Sequence, residues 1–139
     1  MATFNRFEAF SEHLAEKVHN LDADTLKVYL SNTAPNLATH TVKADLAEIS
    51  AGNGYAAGGV DTQNATSRTG AVTSITGVDC VVTAAGGTVG AFRYAVLYND
   101  TPTSPADPLI GYWDYGSAIT LQDGESFTVD FGTSQLTVG

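Results

Sequence analysis

The residues in this chain that could do chemistry are three histidines, one cysteine and a carboxylate set among aromatics. Nucleophilic catalysis needs a histidine within hydrogen-bond reach of a Ser, Thr or Cys, and a carboxylate to orient the ring. His13 and His19 fall on the polar side of a helical stretch, about 120° apart, so they cannot chelate one metal as an i, i+4 pair would. His40 sits in a Thr-rich loop, and all three histidines read as exposed. Cys80 lies in Val78-Asp79-Cys80-Val81-Val82, in phase with its valines, and reads as a buried core thiol. A single cysteine permits neither an internal disulfide nor a Cys-based zinc site. Asp114, between Trp113 and Tyr115 and two residues from Tyr112, has the company of a sugar-binding or glycoside-cleaving acid. In a regular strand, however, Trp113 points away from Asp114, so the two cannot line one pocket.

Glycine and carboxylate patterns add no site. The loop Gly52-Asn53-Gly54-Tyr55-Ala56-Ala57-Gly58 suggests a phosphate cradle, but no Lys-Ser/Thr follows and its spacing misses G-x-G-x-x-G. No long helix comes after it to present an N-terminus to phosphate. Asp22, Asp24, Asp45 and Asp61 lack the spacing and closing glutamate of a calcium loop. The expectation is therefore a protein that is not an enzyme, with no catalytic residue, no cofactor and no metal.

The elements that would carry these residues are mostly strands. Phe92-Arg93-Tyr94-Ala95-Val96-Leu97-Tyr98-Asn99 and Leu109-Ile110-Gly111-Tyr112-Trp113-Asp114-Tyr115 alternate with period two and are rich in aromatic and β-branched residues. Phe92, Tyr94, Val96 and Tyr98 should share one face of the first run. Leu109, Gly111, Trp113 and Tyr115 should share one face of the second. Three of the four prolines lie in the connection 100–108, where a ladder cannot continue. Both runs are apolar on each side, which predicts the centre of a sheet. Further strands are expected at 24–31, near 60–67, 70–76 and 78–84, and at 118–121, 126–131 and 135–138, with a single helical turn at 44–49. Short strands at close spacing predict a mainly β fold, an antiparallel β-sandwich or jelly-roll-like body with one N-terminal amphipathic helix.

That helix is expected over 5–19, with Asn5 as N-cap and Glu8 three residues on. Phe4, Phe7, Phe10, Leu14, Val18 and Leu21 fall within an arc of about 120°. The stripe either closes over the protein's own sheet or docks on another subunit. Phe7, Phe10 and Leu14, together with Tyr55 in the glycine-rich loop, are the candidate protein-interface residues. The chain reads as one domain, 1–139, with a helical arm over 1–21 and a β body over 22–139.

Composition narrows the partners. A formal charge of −9, with the six basic residues scattered, repels phosphate backbones and disfavours nucleic acid. It keeps the protein soluble or suits a basic partner. No apolar run is long enough to span a membrane, and Met1-Ala2-Thr3-Phe4-Asn5-Arg6 does not open a signal peptide. Without a secretion signal, the glycosylation patterns at Asn64-Ala65-Thr66 and Asn99-Asp100-Thr101 read as coincidental.

Longer strings carry a resemblance. Asn32-Thr33-Ala34-Pro35, the runs 44–55, 92–101, 108–116 and 123–131, the Phe-rich opening and His19-Asn20-Leu21 together resemble a family of small structural proteins of tailed bacteriophages. The likeness covers nearly the whole chain. It implies a virion protein assembled in the host cytoplasm, foremost a decoration (cement) protein on the outside of the head. The implied partners are the major capsid protein and neighbouring copies of the chain, a trimer being one arrangement. The alternative it leaves is a tail or tail-tip module that recognises a host-surface glycan through aromatics such as Tyr112 or Tyr55. It implies no catalytic residues.

Overall fold

The computed structural model describes residues 2–139. Among these, ten strands and one α-helix follow in order: β1 (Phe4–Arg6), α1 (Ala9–Ala15), β2 (Leu26–Ser31), β3 (Val60–Asp61), β4 (Ala65–Thr69), β5 (Val72–Thr76), β6 (Cys80–Thr83), β7 (Val89–Asn99), β8 (Leu109–Leu121), β9 (Ser126–Val129) and β10 (Leu136–Val138). The two aromatic runs form the long antiparallel pair β7–β8, and β1, β2 and β3 complete a five-stranded sheet in the order β1-β8-β7-β2-β3. A three-stranded sheet, β10-β5-β4, and a ribbon, β6-β9, make up the rest. Every pairing is antiparallel. The fold is mainly β and sandwich-like, with one helix near its N-terminus.

Two apolar layers lie on the two faces of the large sheet. On one face Val28, Leu30, Ala95, Leu97 and Trp113 pack with Ile75, Cys80, Val82, Val129 and Leu136 from the smaller sheets, which makes the sandwich interior. On the other, Tyr29, Tyr94, Val96, Tyr98 and Leu109 pack with Phe7 and Leu46. A strand covered on both sides has to be apolar at consecutive positions, and Val28–Leu30 and Tyr94–Tyr98 are buried throughout.

Bulges correct the expected faces. In β7 Phe92 joins the sandwich interior while Tyr94, Val96 and Tyr98 face the other way. Phe92 pairs with Ile119 but Tyr94 with Asp114, so residues 115–118 of β8 are left out of the ladder, and across this irregularity Phe92 and Tyr94 take opposite faces. In β8 the ladder passes from Tyr98↔Leu109 to Leu97↔Gly111. Ile110 is the extra residue; it enters the sandwich interior, and Leu109 lies with the tyrosines rather than with Trp113.

The N-terminal helix is shorter than its periodicity predicts. Asn5 does not cap it, because residues 4–6 pair with β8 as Phe4↔Trp113, Asn5↔Tyr112 and Arg6↔Gly111. Extending that segment sets the Phe4 ring 4.9 Å from Trp113 and satisfies its backbone on the sheet, which a further helical turn would not do. The far end closes in a Schellman motif: Val18 N–H donates to His13 O at 2.9 Å, Lys17 N–H to Leu14 O at 3.3 Å, and Lys17 takes φ 65°. Of the arm expected over 1–21, the described residues 2–21 are built into the body, since β1 belongs to the large sheet and Phe10 to the sandwich interior.

Candidate functional site

Three of the four candidate interface residues lie inside the protein. Phe7 and Phe10 are both 0% exposed, and they lie in the apolar layers on opposite faces of the large sheet. Phe7 N–H is held by Ile110 O at 3.0 Å, and its ring sits 5.8 Å from Tyr112. The phenylalanine stripe thus closes on its own sheet and offers no docking ridge. Leu14 is half-buried on the wall of a cavity, and Tyr55 is 3% exposed.

Tyr55 anchors a polar cluster at the edge of the large sheet. The connection 32–59 leaves β2, lays Leu37 and Leu46 over the tyrosine face, then wraps round the edge of β2 so that Ile49 and Tyr55 reach the sandwich side. β3 pairs with β2 only at Lys27 and Val28, so Leu30 lies beyond its reach. The loop supplies the missing partners: Leu30 N–H donates to Tyr55 Oη at 3.0 Å, and Leu30 O accepts from Ile49 N–H at 3.0 Å. Glu48 closes the clasp. Its Oε1 receives Lys43 Nζ at 2.8 Å, and its Oε2 receives the Tyr55 hydroxyl at 2.7 Å and Gly58 N–H at 2.8 Å. Burial pushes the Glu48 carboxyl up, but these three donors outweigh it and hold it below the usual range. The Lys43 ammonium lies 4.8 Å from the centre of the Tyr29 ring, and the Tyr98 hydroxyl donates to Gly58 O at 2.7 Å. Next to it, Gly59 takes φ 83° and passes so close to Val28 O that a Cβ would collide with it.

A second cluster corrects the reading of the histidines. His19 is 5% exposed, because the Schellman turn folds it back beneath the helix to 6.1 Å from His13 and 5.2 Å from Phe10. Asn99 joins it to the sheet: its amide nitrogen lies 3.0 Å from His19 Nδ1 and donates to Asp24 Oδ2 at 2.8 Å. Burial and the neighbouring His13 push the His19 imidazole down to about 4, against the opposing pull of Asp24. Both sequon asparagines are connectors, for Asn64 Nδ2 donates to Leu21 O and Asp24 O.

The remaining reactive types are quiet. Trp113 and Asp114 face opposite ways, and Asp114 receives Arg93 Nε at 2.8 Å and Nη2 at 3.1 Å. Arg93 lies at the irregularity of the β7–β8 ladder, between the pairs Phe92↔Ile119 and Tyr94↔Asp114, and its guanidinium grips Asp114 through two nitrogens. Cys80 is buried, and burial raises its thiol to about 12, which leaves almost no thiolate at neutral pH. Among the described residues no group of three His, Cys, Asp or Glu side chains is placed to hold a metal. A cavity of about 470 Å³ opens between the end of α1 and the β10-β5-β4 sheet, walled by Leu14, Lys17, Asp22, Thr66, Thr73 and Ile75 among others. Its walls are mixed: Lys17, His19, Asp22 and Asp24 stand beside apolar side chains, and the His19 and Asp24 side chains are already joined through Asn99. No family model, no curated protein and no solved structure matches this chain.

Proposed function

We propose that this chain is a non-enzymatic structural protein of a tailed-bacteriophage virion, a decoration protein that binds the outside of the capsid lattice and stabilises it. The reading rests on where the strings that resemble small phage structural proteins fall in the fold. Run 44–55 contributes Glu48 and Tyr55 to the clasp, and runs 92–101 and 108–116 contain most of β7 and the start of β8. The resembling residues are those that hold the frame rigid, which suits a protein whose work is to present a fixed surface. Such a protein acts by adding buried area across capsomer joints, at about 25 cal/mol per apolar Å² before association costs. Its partners are the major capsid protein and neighbouring copies, and a net charge of −9 favours a basic patch on the lattice.

Purified protein mixed with expanded heads that lack it should bind saturably, with a fixed number of copies per head. Binding to tails with none to heads would overturn the proposal. A tail-tip glycan module is the second reading, and Tyr112 is the observation in its favour: half-exposed beside the Arg93–Asp114 pair, it offers a ring and charged groups on one surface. Tyr55 cannot serve there, since it is buried with its hydroxyl engaged. Glycan-array binding abolished by Tyr112→Ala, with no head binding, would select that reading.

A further inference from the structure

β4 is the end strand of the β10-β5-β4 sheet and, among the described residues, has no neighbour on its outer side. All five of its residues, Ala65-Thr66-Ser67-Arg68-Thr69, are exposed. Natural edge strands are blunted by proline, charged side chains (lysine above all), bulges or a covering segment. β4 has no proline and a single charged side chain, Arg68, and its pairing with β5 runs without a register shift from Ala65↔Thr76 to Thr69↔Val72. The edge is unbulged and exposed, and β4 is the longest terminal strand of the three sheets.

The hairpin fixes which backbone groups are free. Thr69 and Val72 flank the two-residue turn Gly70-Ala71, in which Gly70 has φ 61°, so that flanking pair exchanges both of its hydrogen bonds. Alternation then commits Ala65, Ser67 and Thr69 to β5 and turns the N–H and C=O groups of Thr66 and Arg68 outward. These outward groups are self-complementary. With a second copy laid antiparallel about a two-fold axis at Ser67, Thr66 of each copy faces Arg68 of the other as a hydrogen-bonded pair, which uses every outward group.

Charge agrees with this register. Directly opposed residues in an antiparallel pair project on the same face. Arg68 of one copy would therefore lie beside Thr66 of the other, whose hydroxyl donates to Asp22 Oδ1 at 3.0 Å. Asp22 is exposed, and Arg68 now spends its guanidinium only on Gly70 O, in its own turn, at 2.8 Å. We propose that β4 is a self-association edge: two copies of this chain join through antiparallel β4–β4 pairing about Ser67, with Arg68 of each reaching Asp22 of the other. A five-residue strand buries less area than a stable dimer needs, so the equilibrium is weak and concentration-dependent in solution. The inference does not depend on the virion reading.

The test uses the full chain. Facing residues at a non-hydrogen-bonded pair have Cα atoms close enough for a disulfide. Oxidised Ser67→Cys should therefore give at least about ten-fold more covalent dimer than the exposed control Ser117→Cys. Buried Cys80 stays silent in both. Sedimentation equilibrium from about 10 μM to about 1 mM should show monomer passing to dimer and no larger species. Arg68→Pro removes an outward N–H and the charge but leaves the bonds to β5, so it should remain folded by circular dichroism and stay monomeric. Equal cross-linking of Ser67→Cys and Ser117→Cys would overturn the proposal, as would wild-type protein that stays monomeric throughout the range. So would free protein that is monomeric yet loses binding to heads on Arg68→Pro, an outcome that would assign the edge to a strand of the lattice instead.

Discussion

His19 shows how one side chain sets a pH limit on this fold. Its imidazole is buried neutral and titrates near 4, whereas in the unfolded chain it takes its proton near 6.5. The folded pKa is the lower one, so the unfolded state binds the proton first, and stability rises with pH between the two values. Stability is complete above about pH 6.5 and falls towards pH 4, by an amount of order 3 kcal/mol. Urea unfolding of wild type and His19→Gln at about pH 7, 5.5 and 4.5 separates this group from the carboxylates, whose depressed values act lower still. The variant should lose most of the slope between pH 7 and 4.5; a slope equal to that of wild type would assign the acid sensitivity to another group. Sequence pattern places His19 on the polar side of a continuous helix. The Schellman turn is what buries it, and it uses Lys17 at φ 65° where glycine is the usual signal, so the turn left no mark in the sequence. Cys80 was legible for the opposite reason, since it sits in a strand whose period needs no long-range information.

At the scale of elements, the clasp on segment 32–59 is the feature with the largest predicted consequence. Glu48→Ala takes the acceptor from Lys43 Nζ, the Tyr55 hydroxyl and Gly58 N–H together, and leaves a half-buried ammonium against Tyr29. The expected loss is about 2–4 kcal/mol. Tyr55→Phe keeps the ring and Glu48 but leaves the Leu30 amide without its acceptor, at about 1–2 kcal/mol. Hydrogen exchange should localise the damage: the amides of Leu30 and Gly58 speed up in Glu48→Ala, while those of the β7–β8 ladder do not. Matching acceleration across the ladder would mean that the loop has no independent attachment. The strands themselves were legible, because period-two alternation marks β2, β7 and β8 directly. Their faces were less so. Ladder irregularities carry no compositional signal, and they put residues such as Phe92, Leu109 and Ile110 on the other side. The clasp was illegible as well, for Glu48, Tyr55 and Leu30 meet only because the loop rounds a sheet edge.

For the whole molecule, the decisive property is that two apolar layers share one sheet. β7 and β8 give Ala95, Leu97 and Trp113 to one layer and Tyr94, Val96, Tyr98 and Leu109 to the other, so neither layer can dissolve without stripping a face from the same strands. Unfolding should therefore be a single transition, despite the separate coverings. The chain carries its own reporters. Trp113, the one tryptophan, sits in the sandwich interior, and Tyr29, Tyr94 and Tyr98 sit in the layer beneath segment 32–59. Tryptophan fluorescence and near-ultraviolet circular dichroism from the tyrosines should give coincident urea midpoints. Phe7→Ala removes a fully buried ring from the tyrosine layer alone, at about 3–5 kcal/mol. Ile75→Ala removes a buried side chain from the sandwich interior alone, at about 2–5 kcal/mol. If the shared sheet couples the layers, either variant moves both midpoints together and leaves the denaturant slope unchanged. If Phe7→Ala moved the tyrosine signal and left the tryptophan midpoint in place, segment 32–59 would be a detachable cover, and the rigid surface that a capsid-binding role requires would be confined to the sandwich.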